Sequence, residues 1–165
     1  MCVNSTSAQR RRKLHFISLE EVGSDAEKLV SSPTTKTLGN WPLSQLLTHL
    51  AMAMNGSLDG VPFRAPWYMR LFGFFLKGRM LKNGLPAGVK LPNESEASAY
   101  PTVSSSQEAL DVHRTSVGRI QKEKSSATHP IFGKMTHDEW TQLHLRHAEL
   151  HLSFAFRLEA MGQPK

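Results

Sequence analysis

Apolar residues recur along the chain at intervals of three and four, the spacing of helices that bury one face. In "SLEEVGSDAEKLVSS", Ser18 and Glu21 stand at capping-box spacing ahead of apolar positions that suit a helix. "GNWPLSQLLTHLAMAMNGSLDG" predicts a second helix, which Asn40 can cap, with Pro42 in its first turn and glycines punctuating its end. Its core stripe is Leu43, Leu46, Leu47, Leu50, Met54 and Leu58. "VPFRAPWYMRLFGFFLKGRML" predicts a shorter helix, apolar and basic at once. Residues 83–106 mix proline, glycine and serine without periodicity and read as a long loop. Ser105 and Glu108 repeat the capping spacing before "QEALDVHRTSVGRIQKEK". After the loop "SSATHPIFGKM", Thr136 and Glu139 start a last helix, expected to run to about Met161, where Gly162 and Pro164 supply stop signals.

The chain shows no convincing alternating strand pattern and no internal repeat. The expected fold class is therefore all-α, a bundle of four main helices with an additional short helix and a long connecting loop. The loop at 83–106 could cross the bundle, which leaves the up-down order open. Residues 1–13 are expected to form a flexible basic N-terminal segment, 14–162 a single helical domain, and 163–165 a C-terminal tail.

The last helix carries an unusual load. Trp140, Leu143, Leu150, Phe154, Leu158 and Met161 share one stripe, and His147 falls in its middle. His151 lies about 40° from His147, one turn on, and His144 sits at the edge of the stripe. Imidazoles four residues apart on a helix face the same way, close enough for both to reach one ion. A neutral ring keeps one donor and one acceptor, and leaving them buried and unpaired costs free energy. Coordination answers that demand for one nitrogen of each ring; an ordinary core hydrogen bond answers it too. The zincin pattern is absent, because Ala148 stands where its glutamate would be.

A third ligand has to come from a facing helix. His49 stands off the centre of its helix's stripe, beside Leu46 and Ala53, a position suited to reaching across a seam. His113 is the competitor, although its stripe with Leu110, Val117 and Ile120 suits a core polar residue better. His15, His129 and His137 fall in terminal, loop or first-turn positions and are expected to be exposed or capping.

Composition narrows the functional classes. At 165 residues the chain has the size of one domain, with 39% hydrophobic and 21% charged residues, an ordinary soluble balance. Its only cysteine, Cys2, excludes both a disulfide framework and a cysteine-rich zinc site, and it fits a reducing compartment, so a cytoplasmic location is expected. The net charge of +6 includes the run "RRRK" at 10–13, which reads as a solvated terminal segment. The basic residues are dispersed and no DNA-binding motif is present, so no specific nucleic acid is expected. Nor is a transmembrane segment, because Arg70, Lys77 and Arg79 interrupt the longest apolar region.

From Val61 to Lys90, Phe63, Trp67, Phe72, Phe74 and Phe75 are interleaved with Arg64, Arg70, Lys77, Arg79, Lys82 and Lys90. The leading reading is a core helix with a solvated basic face. The same composition suits the wall of a pocket for an anionic, partly apolar ligand, or a peripheral membrane contact.

"GNWPLSQLLTHLA", followed some hundred residues later by "HPIFGKMTHDEWTQLHLRHAELHLSFAF", resembles the DinB/YfiT-like superfamily, in an uncharacterised branch known as a domain of unknown function. The resemblance spans about Leu14 to Met161. Its specific parts are the "HP.FG" loop, the "EW" at the start of the last helix and the terminal "H...HL". It implies a four-helix bundle that forms a homodimer, with a divalent ion held by one histidine of the second helix and two of the last. By position these are His49, His147 and His151. It further implies either a metal-dependent hydrolase or a thiol-dependent transferase acting on a small substrate. Zinc or nickel suits three imidazoles, and three protein ligands leave a position open. Glu149 points away from the His147 stripe and Asp59 lies beyond its helix, so His144 is the nearest candidate for a proton shuttle or a partner to the ligands. The alternative is a non-catalytic bundle in which the ion only ties two helices together.

Overall fold

A computed structural model of the protein describes residues 11–39, 41–61, 65–87 and 103–158. Among these residues the chain is mostly helical, with five helices and one two-stranded antiparallel sheet. In chain order they are α1 (Leu19–Val30), β1 (Thr35–Thr37), α2 (Leu43–Asp59), α3 (Trp67–Asn83), α4 (Ser106–Lys122), α5 (His137–Leu152) and β2 (Ala155–Arg157).

Three helix starts follow from their caps. The hydroxyls of Ser18, Ser105 and Thr136 accept the amides of Glu21, Glu108 and Glu139, and at Thr136 the Glu139 carboxylate completes the box. Helix α2 starts differently: Pro42 takes the cap position with no side-chain bond, and Asn40 lies outside the described residues. The main core joins Leu19, Val22 and Leu29 of α1 to Leu46, Leu47, Leu50 and Met54 of α2. Leu110 and Ile120 of α4 and Leu145, Ala148 and Leu152 of α5 close it. A smaller cluster of Leu81, Phe132, Met135, Trp140 and Leu143 seats α3 against the start of α5.

Four expectations need correction. Helix α5 ends at Leu152 rather than near Met161. The Ser153 hydroxyl donates to the Leu150 carbonyl, the chain turns, and the Leu38 amide donates to the Phe154 carbonyl at 2.8 Å. Ala155–Arg157 then pairs with Thr35–Thr37, so Phe154 is fully buried while Leu158 is exposed. Met161, Gly162 and Pro164 lie outside the described residues. This pairing is also the strand content that the sequence pattern did not reveal, since three residues are too few to alternate visibly.

The third helix is not short; it has 17 residues, as many as α2 and α4. Nor is it a core helix. Trp67, Phe72, Phe74 and Phe75 face outward, and only Gly73 and Leu81 of α3 are buried. Gly73 allows the contact that holds it: a Cβ there would sit 2.8 Å from the Ile131 carbonyl oxygen. No helix among the described residues is long and apolar enough to cross a membrane.

The N-terminal basic run reaches the described residues at Arg11. Arg12 forms a two-pronged pair with Asp25 at 2.8 and 2.7 Å, and its amide donates to the Ser153 carbonyl. Residues 1–10, the centre of the loop at 83–106 and the tail at 163–165 lie outside the described residues.

Candidate metal centre

Helices α2 and α5 cross so that His49, His147 and His151 meet. The Nε2 atoms of His49 and His147 lie 3.0 Å apart. One ring nitrogen from each of the three residues falls within 4.8 Å of the others. The rings meet edge to face, with centroids 4.8 Å apart for His49 and His147, 4.5 Å for His49 and His151, and 4.6 Å for His147 and His151. Local helix geometry explains the pair on α5, because residues one turn apart share a face. On α2, Leu46, Leu50 and Met54 fill the core and leave His49 turned toward the seam, half-buried.

Burial holds all three rings neutral. It lowers the pKa of His49 to about 4. It puts His147 and His151 well below the ordinary histidine value, with further lowering from repulsion among the three. Neutral imidazole is the form that binds metals. His151 Nδ1 is buried without a hydrogen-bond partner among the described residues. A single Nε2–H···Nε2 hydrogen bond could join His49 to His147, but it would leave the third ring unserved at the shared centre.

Trp41 covers the group. Its ring stacks on His151 at 5.8 Å and meets His49 edge-on at 5.2 Å. The sequence reading gave Trp41 no role, since it precedes α2 and has no place in a periodic stripe. Its only signal was its position beside Pro42, eight residues ahead of His49.

The remaining histidines separate from the triad. His113 is fully buried in α4, outside the triad, and neither ring nitrogen has a partner among the described residues. His144, at the edge of the α5 stripe, is buried. Its Nε2 lies 3.0 Å from Ser57 Oγ, and its ring stacks on Trp140. The same Ser57 hydroxyl lies 2.7 Å from the Met54 carbonyl and 2.9 Å from Ser125 Oγ, which ties His144 into a buried polar group at the end of α2. His129 is packed, not exposed. Its ring lies on Phe132 and beside Trp140, its Nδ1 accepts the amides of Ile131 and Phe132, and burial lowers its pKa to about 4. His137 Nδ1 accepts the Ser125 amide, while the His15 side chain is largely exposed.

Glu149 does not serve the triad. Its carboxylate accepts the Phe16 amide at 2.7 Å and pairs with Arg146 at 3.0 Å, fixing the chain ahead of α1. Asp59 is held by Arg119. Surface clefts of about 390 Å³, beside β1, and about 330 Å³, between α1 and α4, share no residue with the triad. The chemistry of three converging imidazoles therefore marks the site, and cleft size does not.

A family model described as "Protein of unknown function (DUF1569)" matches residues 8–157. No curated protein and no solved structure matches the chain.

Proposed function

Because the chain belongs to the family of proteins of unknown function DUF1569, whose description names no reaction, we propose its function from the site: it binds one divalent ion through His49, His147 and His151. The observation that carries this reading is the convergence of three neutral ring nitrogens within 4.8 Å. Two imidazole nitrogens bound to one ion at about 2.0–2.1 Å in tetrahedral geometry stand roughly 3.3 Å apart. The separation of 3.0 Å between His49 and His147 is close to that value. Zinc or nickel fits an all-imidazole set.

In this reading the protein is a DinB-like four-helix bundle with residues 14–162 as its domain, acting in the cytoplasm as a homodimer. It is a hydrolase or a thiol-dependent transferase for a small substrate. Bound there, the ion would supply a Lewis acid able to lower the pKa of water or a thiol. The protein's own share is orientation: Trp41 fixes the faces of His49 and His151. His144, held by Ser57 and Trp140 beside the triad, is the partner or proton carrier of this reading. The second reading, an ion that only ties α2 to α5, is favoured by one observation: Glu149 and Asp59 are both engaged elsewhere. The two readings differ in coordination number.

The test is metal content after purification without a histidine tag, with coordination number from X-ray absorption. We expect one equivalent of zinc or nickel, three nitrogen ligands and an exchangeable light-atom ligand. A site closed by protein alone would establish the structural reading. Stoichiometric metal in the His147→Ala, His151→Ala double variant would refute the assignment.

A further inference from the structure

Helix α3 turns its apolar side chains away from the protein. Trp67 is 75% exposed, Phe75 72%, Phe74 67% and Phe72 65%. At 100° per residue, Trp67, Tyr68, Leu71, Phe72 and Phe75 occupy one arc of about 140°; buried Gly73 lies opposite its centre, and buried Leu81, about 40° outside its edge, seats the C-terminal end of the helix. An exposed apolar patch of this kind marks an interaction surface. Arg79 and Lys82 continue the same arc toward the C-terminus, and Arg70 is exposed in the first turn, about 60° outside the arc's edge. The helix contains no acidic residue. Among the described residues Lys77 alone of its cations has an ion-pair partner, Glu139, at 2.6 Å.

We infer that α3 docks the protein on an anionic lipid surface. The helix would lie in the plane of the interface and sink its aromatic arc about 5–10 Å into the headgroup and acyl boundary. Trp67 and Tyr68 are of the type that settles at headgroup level. Arg70, Arg79 and Lys82 would stay with the lipid phosphates and carboxylates, their stems lying along the apolar layer. Charge chooses this occupant over a contact of α3 with the α3 of a second copy, which would bring the same cations and no carboxylate to meet them. The four cations also keep α3 on the membrane rather than through it. The inference does not depend on the metal reading, because the arc faces away from α5.

Co-sedimentation of the full chain with phosphatidylcholine vesicles, with and without phosphatidylserine, tests it. Binding should require phosphatidylserine and weaken as salt screens the charges. Phe72→Ser with Phe75→Ser should weaken it by about tenfold or more, since two aromatic side chains no longer leave water. Arg79→Ala with Lys82→Ala should weaken it about fivefold per cation removed. Circular dichroism confirms that each variant is folded, and Trp67→Ser gives a second apolar probe if the phenylalanine pair fails. No binding to phosphatidylserine vesicles would overturn the inference. So would binding that neither set of variants changes, or a dimer in sedimentation that the phenylalanine variants dissolve while vesicles go unbound.

Discussion

His113 and His151 are both buried imidazoles with unpaired nitrogen, but only His151 has other imidazoles at its edge. His113 leaves a donor and an acceptor unserved among Leu110 and its neighbours, so its polarity gives the core nothing. Replacing such a group with an apolar one of similar volume removes a desolvation cost. His113→Leu should therefore be neutral or stabilise by up to about 1 kcal/mol in urea unfolding, with metal content unchanged. A loss of stability beyond about 1 kcal/mol, or a loss of metal, would show that His113 has a partner or a role. The triad itself was legible in the sequence because the α5 pair depends on helix spacing alone. His49 needed the added inference that an off-centre histidine reaches across a seam. Trp41 was not legible, since its contact depends on how the chain enters α2.

The spacings Ser18–Glu21, Ser105–Glu108 and Thr136–Glu139 made three helix starts legible before any packing was known. Thr136 matters most, because it begins the helix that carries His147 and His151. Thr136→Ala should lower stability by about 1 kcal/mol in thermal or urea melts. The two glycines of α3 make opposite predictions. Gly78 has nothing within 4 Å of an added Cβ, so Gly78→Ala should gain up to about 1 kcal/mol of helix propensity. At Gly73 the same methyl would meet the Ile131 backbone, so Gly73→Ala should lose about 1–3 kcal/mol. Equal effects from the two substitutions would mean that α3 does not sit on Ile131. Sequence reading could not orient this helix, because nearly every side of it carries an apolar residue. The end of α5 was equally hidden, since the partner that turns Ala155 into a strand lies before α2.

At the scale of the molecule, the buried histidines make stability depend on pH. Burial lowers His49, His113, His129 and His144 to about 4, and puts His147 and His151 lower than the ordinary value by a wide margin. An unfolded histidine titrates near 6.5, so between about 6.5 and 4 the unfolded chain takes up protons that the folded one refuses. Stability is thus complete above about 6.5 and lost as the pH falls toward 4, which calorimetry at a series of pH values would follow. A melting temperature flat across that window would contradict the buried placement. An ion bound at the triad would add to this by mass action: a chelator should lower the melting temperature near pH 7.5, by less as acid competes for the same nitrogens. The apolar core should keep the stripped protein folded. That the chain is helical was legible from periodicity, and the mutual burial of these rings was not.

The β1–β2 ribbon joins the two stretches of chain that border the triad. Thr37 leads through Leu38 to Trp41 above the rings, and Ala155 follows directly on the turn after His151. Two strands of three residues hold only marginally on their own, so this border should open more readily than the helices. Opening would lift Trp41 and free the end of α5 together, so we expect the ribbon to control release of an ion bound at the triad. Release to excess chelator should then proceed at a rate independent of chelator concentration. That rate should match amide exchange at Leu38 and rise when Thr37→Pro weakens the pairing. Release that scales with chelator concentration would mean that the ion is reached directly from solvent, with the ribbon closed.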